Sequence, residues 1–258
     1  MAVLVTTLER TSVEESNAFH FVDSCSAIAD LVDSLTDLPA SPPSLYLDLE
    51  GVNLSRQGTI SILQLLVSSQ HRTYLIDVHT LGSKAFSTVG ANGQTLATIL
   101  ESETIPKVFF DVRNDSDALY SHFGIRLVGV QDVQVMEFAT RRVRGRFVSG
   151  LSKCIERDGM MTITERQEWL ATKEKGLKLF TPERGGSYEL LNVRPLCEEL
   201  ILYCVQDVQF LPRLWSGYFS KLTPSLLARV KMATGERVKS SQSEMYNGHG
   251  KHKALGPW

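Results

Sequence analysis

LYLDLEGVNL, residues 45–54, is the stretch on which the fold turns. Leu45, Tyr46, Leu47 and Leu49 frame two acids, Asp48 and Glu50, and Gly51 follows at once. In a strand Leu45, Leu47 and Leu49 face one side while Tyr46, Asp48 and Glu50 face the other, so both carboxylates share a face. Two unpaired anions side by side in an apolar setting are costly. That face is therefore open to water, carries bases against the acids, or holds a cation between them.

Reading outward, the order of elements predicts an α/β domain. Residues 26–37 carry apolar residues at helical spacing, and PASPPS is a breaker-rich connection into the strand. Residues 59–67 (TISILQLLV) and 73–78 (TYLIDV) read as consecutive antiparallel strands turning at SSQHR. Residues 93–102 read as a helix, KVFF (107–110) as a short buried strand, and VGVQDV (128–133) as a fifth strand. Between the last two, NDSDALYSHFGI begins with capping residues and ends at Gly124, the pattern of a helix with an αL stop. The remainder is mainly helical, interrupted at PERGGS (182–187), and RPLCEELILYCVQDVQFLPRLW reads as one long helix with Pro195 near its start. Strands followed by helices argue for helices on both faces of a mixed sheet.

Composition sets limits on function. The 258 residues are 43% hydrophobic and 22% charged, ordinary for a soluble globular chain, and no apolar run approaches the roughly 18 residues that a membrane span needs. An intracellular protein, cytoplasmic or nuclear, is expected. Cys25, Cys154, Cys197 and Cys204 show neither a CxxC pair nor a matched histidine spacing, which predicts buried free thiols rather than zinc or disulfides. A net charge of -2 does not advertise a polyanion binder. One local exception is RRVRGR, with Arg141, Arg142, Arg144 and Arg146, which reads either as a phosphate-tracking patch or as a solvated helix end.

Further acids fall at informative places. Asp111 ends the fourth strand, and Asp115 and Asp117 lie in the first turn of the next helix, where capping and the helix dipole favour Asp in any case. Tyr203 and Asp207, four apart, lie on one face of a late helix among apolar neighbours. A core-facing Asp there needs a cation against it.

Taken as an ordered set, these features resemble the three motifs of the DEDD exonucleases in their tyrosine subgroup, over roughly residues 40–220. The likeness is to exonuclease domains of the RNase D and Werner type. DLEGVNLSRQGTISILQ matches the first motif, including the glycine after the acid pair and the glutamine of the next strand. VRNDSDALYSHFGIRLVGVQDVQ matches the second, where spacing to Phe123, Gly124 and Asp132 selects Asp115, with Asp117 as the nearby rival. YCVQD matches the third; the histidine subgroup has His where this chain has Leu202.

The resemblance implies an RNase H-like fold, a five-stranded mixed sheet with its second strand antiparallel to the rest and helices on both faces. It implies an exonuclease domain at 40–222, an N-terminal extension with a helix at 1–39, and a C-terminal helix and polar tail at 223–258 packing on or near the domain. It also implies two divalent ions, Mg²⁺ or Mn²⁺, held by Asp48, Glu50, Asp115 and Asp207, with Asp48 bridging and Asp115 acting mostly through water. Such ions activate a water and stabilise the leaving 3′-oxygen from about 3.5–4 Å apart. Tyr203 then orients the water or the scissile phosphate, since a free phenol with a pKa near about 10 is a poor simple base.

The implied substrate is the 3′ end of single-stranded RNA or DNA, cut to nucleoside 5′-monophosphates. Leu54 is the candidate wedge under the terminal base, or else a core residue. Arg56, Arg113, Lys173, Lys175 and Arg184 flank the motifs as candidate phosphate contacts. WLATKEKGLKLF (169–180) is expected to border the cleft. His20, His71, His79 and His122 are isolated, and His249 and His252 belong to a polar tail, NGHGKHKALGPW, expected to be extended or flexible. Two other functions fit the same residues: a catalytically silent nucleic-acid adaptor in an RNA-processing or silencing assembly, and a phosphodiesterase of short oligonucleotides. A protein partner for targeting is a further expectation.

Overall fold

A computed structural model describes residues 19–143 and 145–258. In chain order it comprises strand β1 (Phe19–Val22), helix α1 (Cys25–Ser34), β2 (Leu45–Glu50), β3 (Ile62–Val67), β4 (Arg72–Asp77), α2 (Leu96–Leu100), β5 (Lys107–Phe109), α3 (Arg113–Phe123), β6 (Val130–Asp132), α4 (Val133–Thr140), α5 (Leu151–Asp158), α6 (Ile163–Phe180), α7 (Glu198–Gln209), α8 (Leu211–Phe219) and α9 (Pro224–Ser241), with one-turn helices between some of them. The sheet order is β1-β4-β3-β2-β5-β6. β3 pairs antiparallel with β2 and β4, while β1–β4, β2–β5 and β5–β6 are parallel, so β3 runs against every other strand, as expected for an RNase H-like sheet.

The sheet has six strands rather than the expected five. The additional one is FHFV, which adds to the outer edge of β4 in the register Phe19↔Thr73 to Val22↔Ile76. Four residues with a partner more than fifty positions away leave no local signal. β1 and α1 come from the segment ahead of residue 40, yet Phe19, Val22, Ile28, Leu31 and Val32 are all buried in the core.

Alternation along β2 divides the core. Leu45, Leu47 and Leu49 pack under α1, α2 and α3 with Leu63, Leu65 and Val67 of β3. On the opposite face Tyr46 packs with Val108, Val133, Trp169, Leu211 and Trp215, and Ile62 with Leu200, Tyr203 and Cys204 of α7. Truncating one of these fully buried leucines to alanine costs about 2–5 kcal/mol. Because α7 lies on the face that carries Asp48 and Glu50, sheet and helix bring their acids together.

Three further expectations are corrected. The single long C-terminal helix is α7 and α8, broken at Phe210. Pro212 has no N–H to donate and its ring would meet the carbonyl of Val208, so a new helix starts there. The tail is not extended or flexible but folded: Val148 N donates to Ala254 O at 2.8 Å, Gly256 N donates to Arg146 O at 2.8 Å, and Trp258 lies edge-on to Phe138 with ring centroids 5.5 Å apart. Backbone pairing and aromatic contact outweigh its polar composition. All four cysteines are free as expected, but only Cys154 and Cys204 are buried; Cys25 and Cys197 are exposed.

Candidate active site

At the C-terminal end of β2, Asp48 and Glu50 project towards α7, which supplies Asp207. One carboxylate oxygen from each of the three lies within 4.8 Å of the others. The chain can leave β2 at this point because residue 51 is glycine: a Cβ there would stand 2.0 Å from Thr59 O. The loop between β2 and β3 is thereby drawn back against its own start, with Thr59 N donating to Val52 O at 2.9 Å. Gln64, directly opposite Asp48 in the register, is fully buried beside the Cys204 thiol.

The fourth acid comes from the start of α3. After β5 the chain turns sharply at Asp111, whose φ of 61° is uncommon for a residue with a side chain. Asp132, at the end of β6, holds that turn: its carboxylate accepts from Asp111 N at 3.0 Å and Val112 N at 3.3 Å, and from Arg237 of α9 at 2.7 Å. Asp115 then lies in the first helical turn, buried, with Oδ1 lacking any hydrogen-bond partner. Asp117, its rival by spacing, is consumed elsewhere, since its two oxygens accept from Arg56 Nε at 2.7 Å and Arg56 N at 2.8 Å.

Helix α6 completes the cluster. Its Thr162 and Glu165 form a reciprocal cap that fixes the N-terminus. Gly176 allows α6 to lie directly on Tyr203 of α7, where a Cβ would come within 2.5 Å of the ring. One turn earlier, Lys173 Nζ donates to Asp207 Oδ1 at 2.8 Å, stands 3.4 Å from the Tyr203 hydroxyl and lies 4.7 Å above the centre of that ring.

Burial and mutual repulsion dominate the electrostatics. Burial, then the charges of Asp115, Glu50 and Asp207, push Asp48 well above the ordinary carboxylate range, with only Lys173 opposing. Glu50 rises to about 8, first through burial and then through Asp207, again opposed by Lys173. Asp115 rises to about 7, chiefly by burial. Burial works against the Lys173 ammonium, but Asp207, Glu50 and Asp48 outweigh it and its pKa is raised. Tyr203 is raised by burial and by Asp207, so its hydroxyl keeps its proton at neutral pH. Converging hard oxygen donors, too few protein cations and an orphaned Asp115 oxygen fit divalent ions of the Mg²⁺ or Mn²⁺ class.

The other expected contacts divide sharply. Arg56 is a strut: besides Asp117 it donates to the carbonyls of Ser241, Ser243 and Glu244 at the end of α9. Arg113 is likewise spent, on Asp111 at 2.5 and 2.7 Å and on Lys253 O at 2.8 Å. Arg184 pairs with Glu174 at 2.6 Å on the surface. Lys175 is exposed, and Leu54 is half-buried against the core. Of RRVRGR, Arg141 pairs with buried Glu137, Arg146 lies over Phe147, and Arg144 falls outside the described residues. Sequence reading missed Lys253, whose ammonium donates to Asn114 Oδ1 at 2.6 Å beside Asp115. Nothing local to the tail connects it with a helix start about 140 positions earlier.

A family model described as a 3′-5′ exonuclease matches residues 19–225, and the chain belongs to this DnaQ-like exonuclease family of the RNase H-like superfamily. Among solved structures, it is similar to RNase D of Trypanosoma brucei in complex with GMP (TM-score 0.72, 22% identity, 95% of this chain and 71% of that one). The same enzyme in complex with RNA U12 gives a TM-score of 0.68 at 20% identity, over 96% and 83% of the two chains. Escherichia coli RNase D gives 0.57 at 18% identity, over 87% and 51%. Among curated proteins, the human piRNA biogenesis protein EXD1 is 30% identical over 63% of this chain and 29% of its own length. The mouse protein of the same name is 43% identical over 34% of this chain and 14% of its own. The chain thus spans less than a third of the length of these relatives. Among the described residues no helix is long and apolar enough to cross a membrane.

Proposed function

We propose that this chain is a metal-dependent exonuclease that shortens single-stranded RNA from the 3′ end and releases nucleoside 5′-monophosphates. The observation that carries the reading is the convergence of Asp48, Glu50 and Asp207 within 4.8 Å, with no arginine paired to them among the described residues. Family membership sets the reaction class, and RNA is favoured over DNA by likeness to an RNase D bound to RNA U12 and to proteins named for piRNA biogenesis.

Two divalent ions, when bound, supply an acidified water and stabilise the leaving 3′-oxygen. Asp48, Glu50 and Asp207 are the residues that would hold them, and Asp115 would act through intervening water. Asp48 feels the charges of Asp115, Glu50 and Asp207 together, which supports a central role for it. Because burial keeps the Tyr203 hydroxyl protonated, its task is donation: it orients the attacking water or a phosphate oxygen and takes no proton. Lys175 and Arg184, on or after α6, steer the strand's phosphates, and Leu54 supports the terminal base. Arg56 and Arg113 are each held by a carboxylate and by backbone carbonyls and are assigned to structure.

The test is a gel time course on 5′-labelled single-stranded RNA and DNA of equal sequence, with Mg²⁺, Mn²⁺ or chelator, using the native chain and Asp207→Asn. A metal-dependent ladder shortening from the 3′ end, faster on RNA and absent in the variant, is expected. Intact RNA in both metals despite measurable binding would replace the exonuclease by an RNA-binding adaptor.

A further inference from the structure

Among the described residues, buried acids outside the acid cluster are neutralised by arginine and the cluster is served by a lysine: Asp77 by Arg194, Asp117 by Arg56, Asp132 by Arg237 and Glu137 by Arg141, but Asp207 by Lys173. The choice has physical content. A guanidinium locks a carboxylate in a planar fork, whereas an ammonium is a point charge on a flexible four-carbon stem that can rotate away. The stem matters here because the helix beneath it cannot slide. Gly176 seats α6 directly on the Tyr203 ring, so the displacement of Nζ is a rotation of the Lys173 side chain and not a shift of the helix.

We propose that Lys173 is an internal cation that stands in for divalent metal: it holds the acid cluster together in the ion-free protein and leaves Asp207 when ions bind. The inference rests on the two-metal reading above. Its geometric basis is that Nζ, 2.8 Å from Asp207 Oδ1 with the side chain only 12% exposed, occupies a carboxylate oxygen that an ion needs. Three carboxylates, Asp207, Glu50 and Asp48, bear on this one ammonium, and their repulsion is least tolerable when no ion is present. The lysine thus keeps the ion-free site intact and makes ions compete for it, so that metal affinity is set partly by α6.

Two measurements decide the matter. Isothermal titration of Mn²⁺ into the native chain, Lys173→Met and Lys173→Arg reads the competition. Loss of the charge is expected to tighten Mn²⁺ binding about tenfold, the magnitude of one partly buried ion pair, and arginine to restore native or weaker affinity. In parallel, reductive methylation followed by mass spectrometry reads Lys173 in the unaltered chain, with chelator or with Mn²⁺. Protection in chelator and labelling with Mn²⁺ is expected, and this arm stands even if Lys173→Met loses its fold without ions. Equal Mn²⁺ affinity in the native chain and Lys173→Met, with Lys173 protected under both conditions, overturns the inference and leaves the two-metal reading in place. No Mn²⁺ binding by any of the chains overturns the two-metal reading and this inference together.

Discussion

Asp132 and Asp48 are both acids at the ends of parallel strands, on either side of β5, and they have opposite surroundings. Asp132 is fully buried, accepts from three backbone N–H groups and pairs with Arg237 at 2.7 Å. Asp48 has no ion-pair partner among the described residues, with three acids around it and only the more distant pull of Lys173. The contrast extends to both sets. Burial alone would raise Asp77, yet Arg194 and Thr80 outweigh it and hold its pKa below the usual range, and Arg113 and Arg237 do the same for Asp111. Asp48, Glu50 and Asp115 are all raised. An acid given its own guanidinium is a brace, and an acid set among other acids without one is held ready for a cation.

The sharpest way to break this comparison is to neutralise one member of each set. Asp48→Asn is expected to lower the single-turnover rate on RNA about 10³-fold or more, equivalent to about 4 kcal/mol of transition-state stabilisation. Its melting temperature in chelator should not fall, because a repelling charge has been removed. Arg237→Met should do the reverse, leaving Asp132 buried and unpaired at a cost of about 3–5 kcal/mol in denaturant unfolding. A destabilised Asp48→Asn, or an indifferent Arg237→Met, would show that the two sets do not differ in the way described.

Much of the acid cluster was legible in the sequence because its members lie at fixed offsets within single elements. Alternation put Asp48 and Glu50 on one face of β2, and a four-residue step put Tyr203 and Asp207 on one face of α7. What could not be read is which cation each acid meets. Arg56 and Asp117 are 61 residues apart and Lys173 and Asp207 are 34, so nothing local separates a strut from a phosphate contact. Spacing favoured Asp115 over its rival Asp117, and the engagement of Asp117 by Arg56, which no spacing reveals, adds the physical reason. Strand β1 was missed for a related reason, its ladder being formed wholly with β4.

The two sets also pull stability in opposite directions with pH. Glu50 and Asp115 have folded-state values near about 8 and about 7, against 4.5 and 3.8 for the free groups. The folded chain therefore keeps protons that the unfolded chain has lost, and without metal its stability declines as pH rises from about 4 towards 8. The arginine-paired Asp77 and Asp111, with lowered values, withdraw their contribution only as the pH drops below 3.8, the value of the free group. Urea titrations in chelator at pH 5 and pH 8 are expected to give the higher midpoint at pH 5. Glu50→Gln should shrink the difference, and saturating Mn²⁺ should reverse it, because metal binds the deprotonated carboxylates. A midpoint that rises with pH in chelator would mean that the cluster is not under charge stress.

The smallest effect separates spent cations from free ones on the substrate side. Arg56 spends its guanidinium on Asp117 and on the carbonyls of Ser241, Ser243 and Glu244, whereas Lys175 is exposed one residue before the Gly176–Tyr203 contact. A single mobile lysine contributes about one released counterion, so Lys175→Ala should reduce the slope of log affinity for single-stranded RNA against log salt by about 0.7 and leave the melting temperature unchanged. Arg56→Ala should leave that slope alone and lower the melting temperature, since Asp117 would be stranded in the core. If the salt slope responds to Arg56 and not to Lys175, then the strand crosses the β2–β3 loop rather than α6. In that case Arg56 would have to leave Asp117 whenever RNA binds.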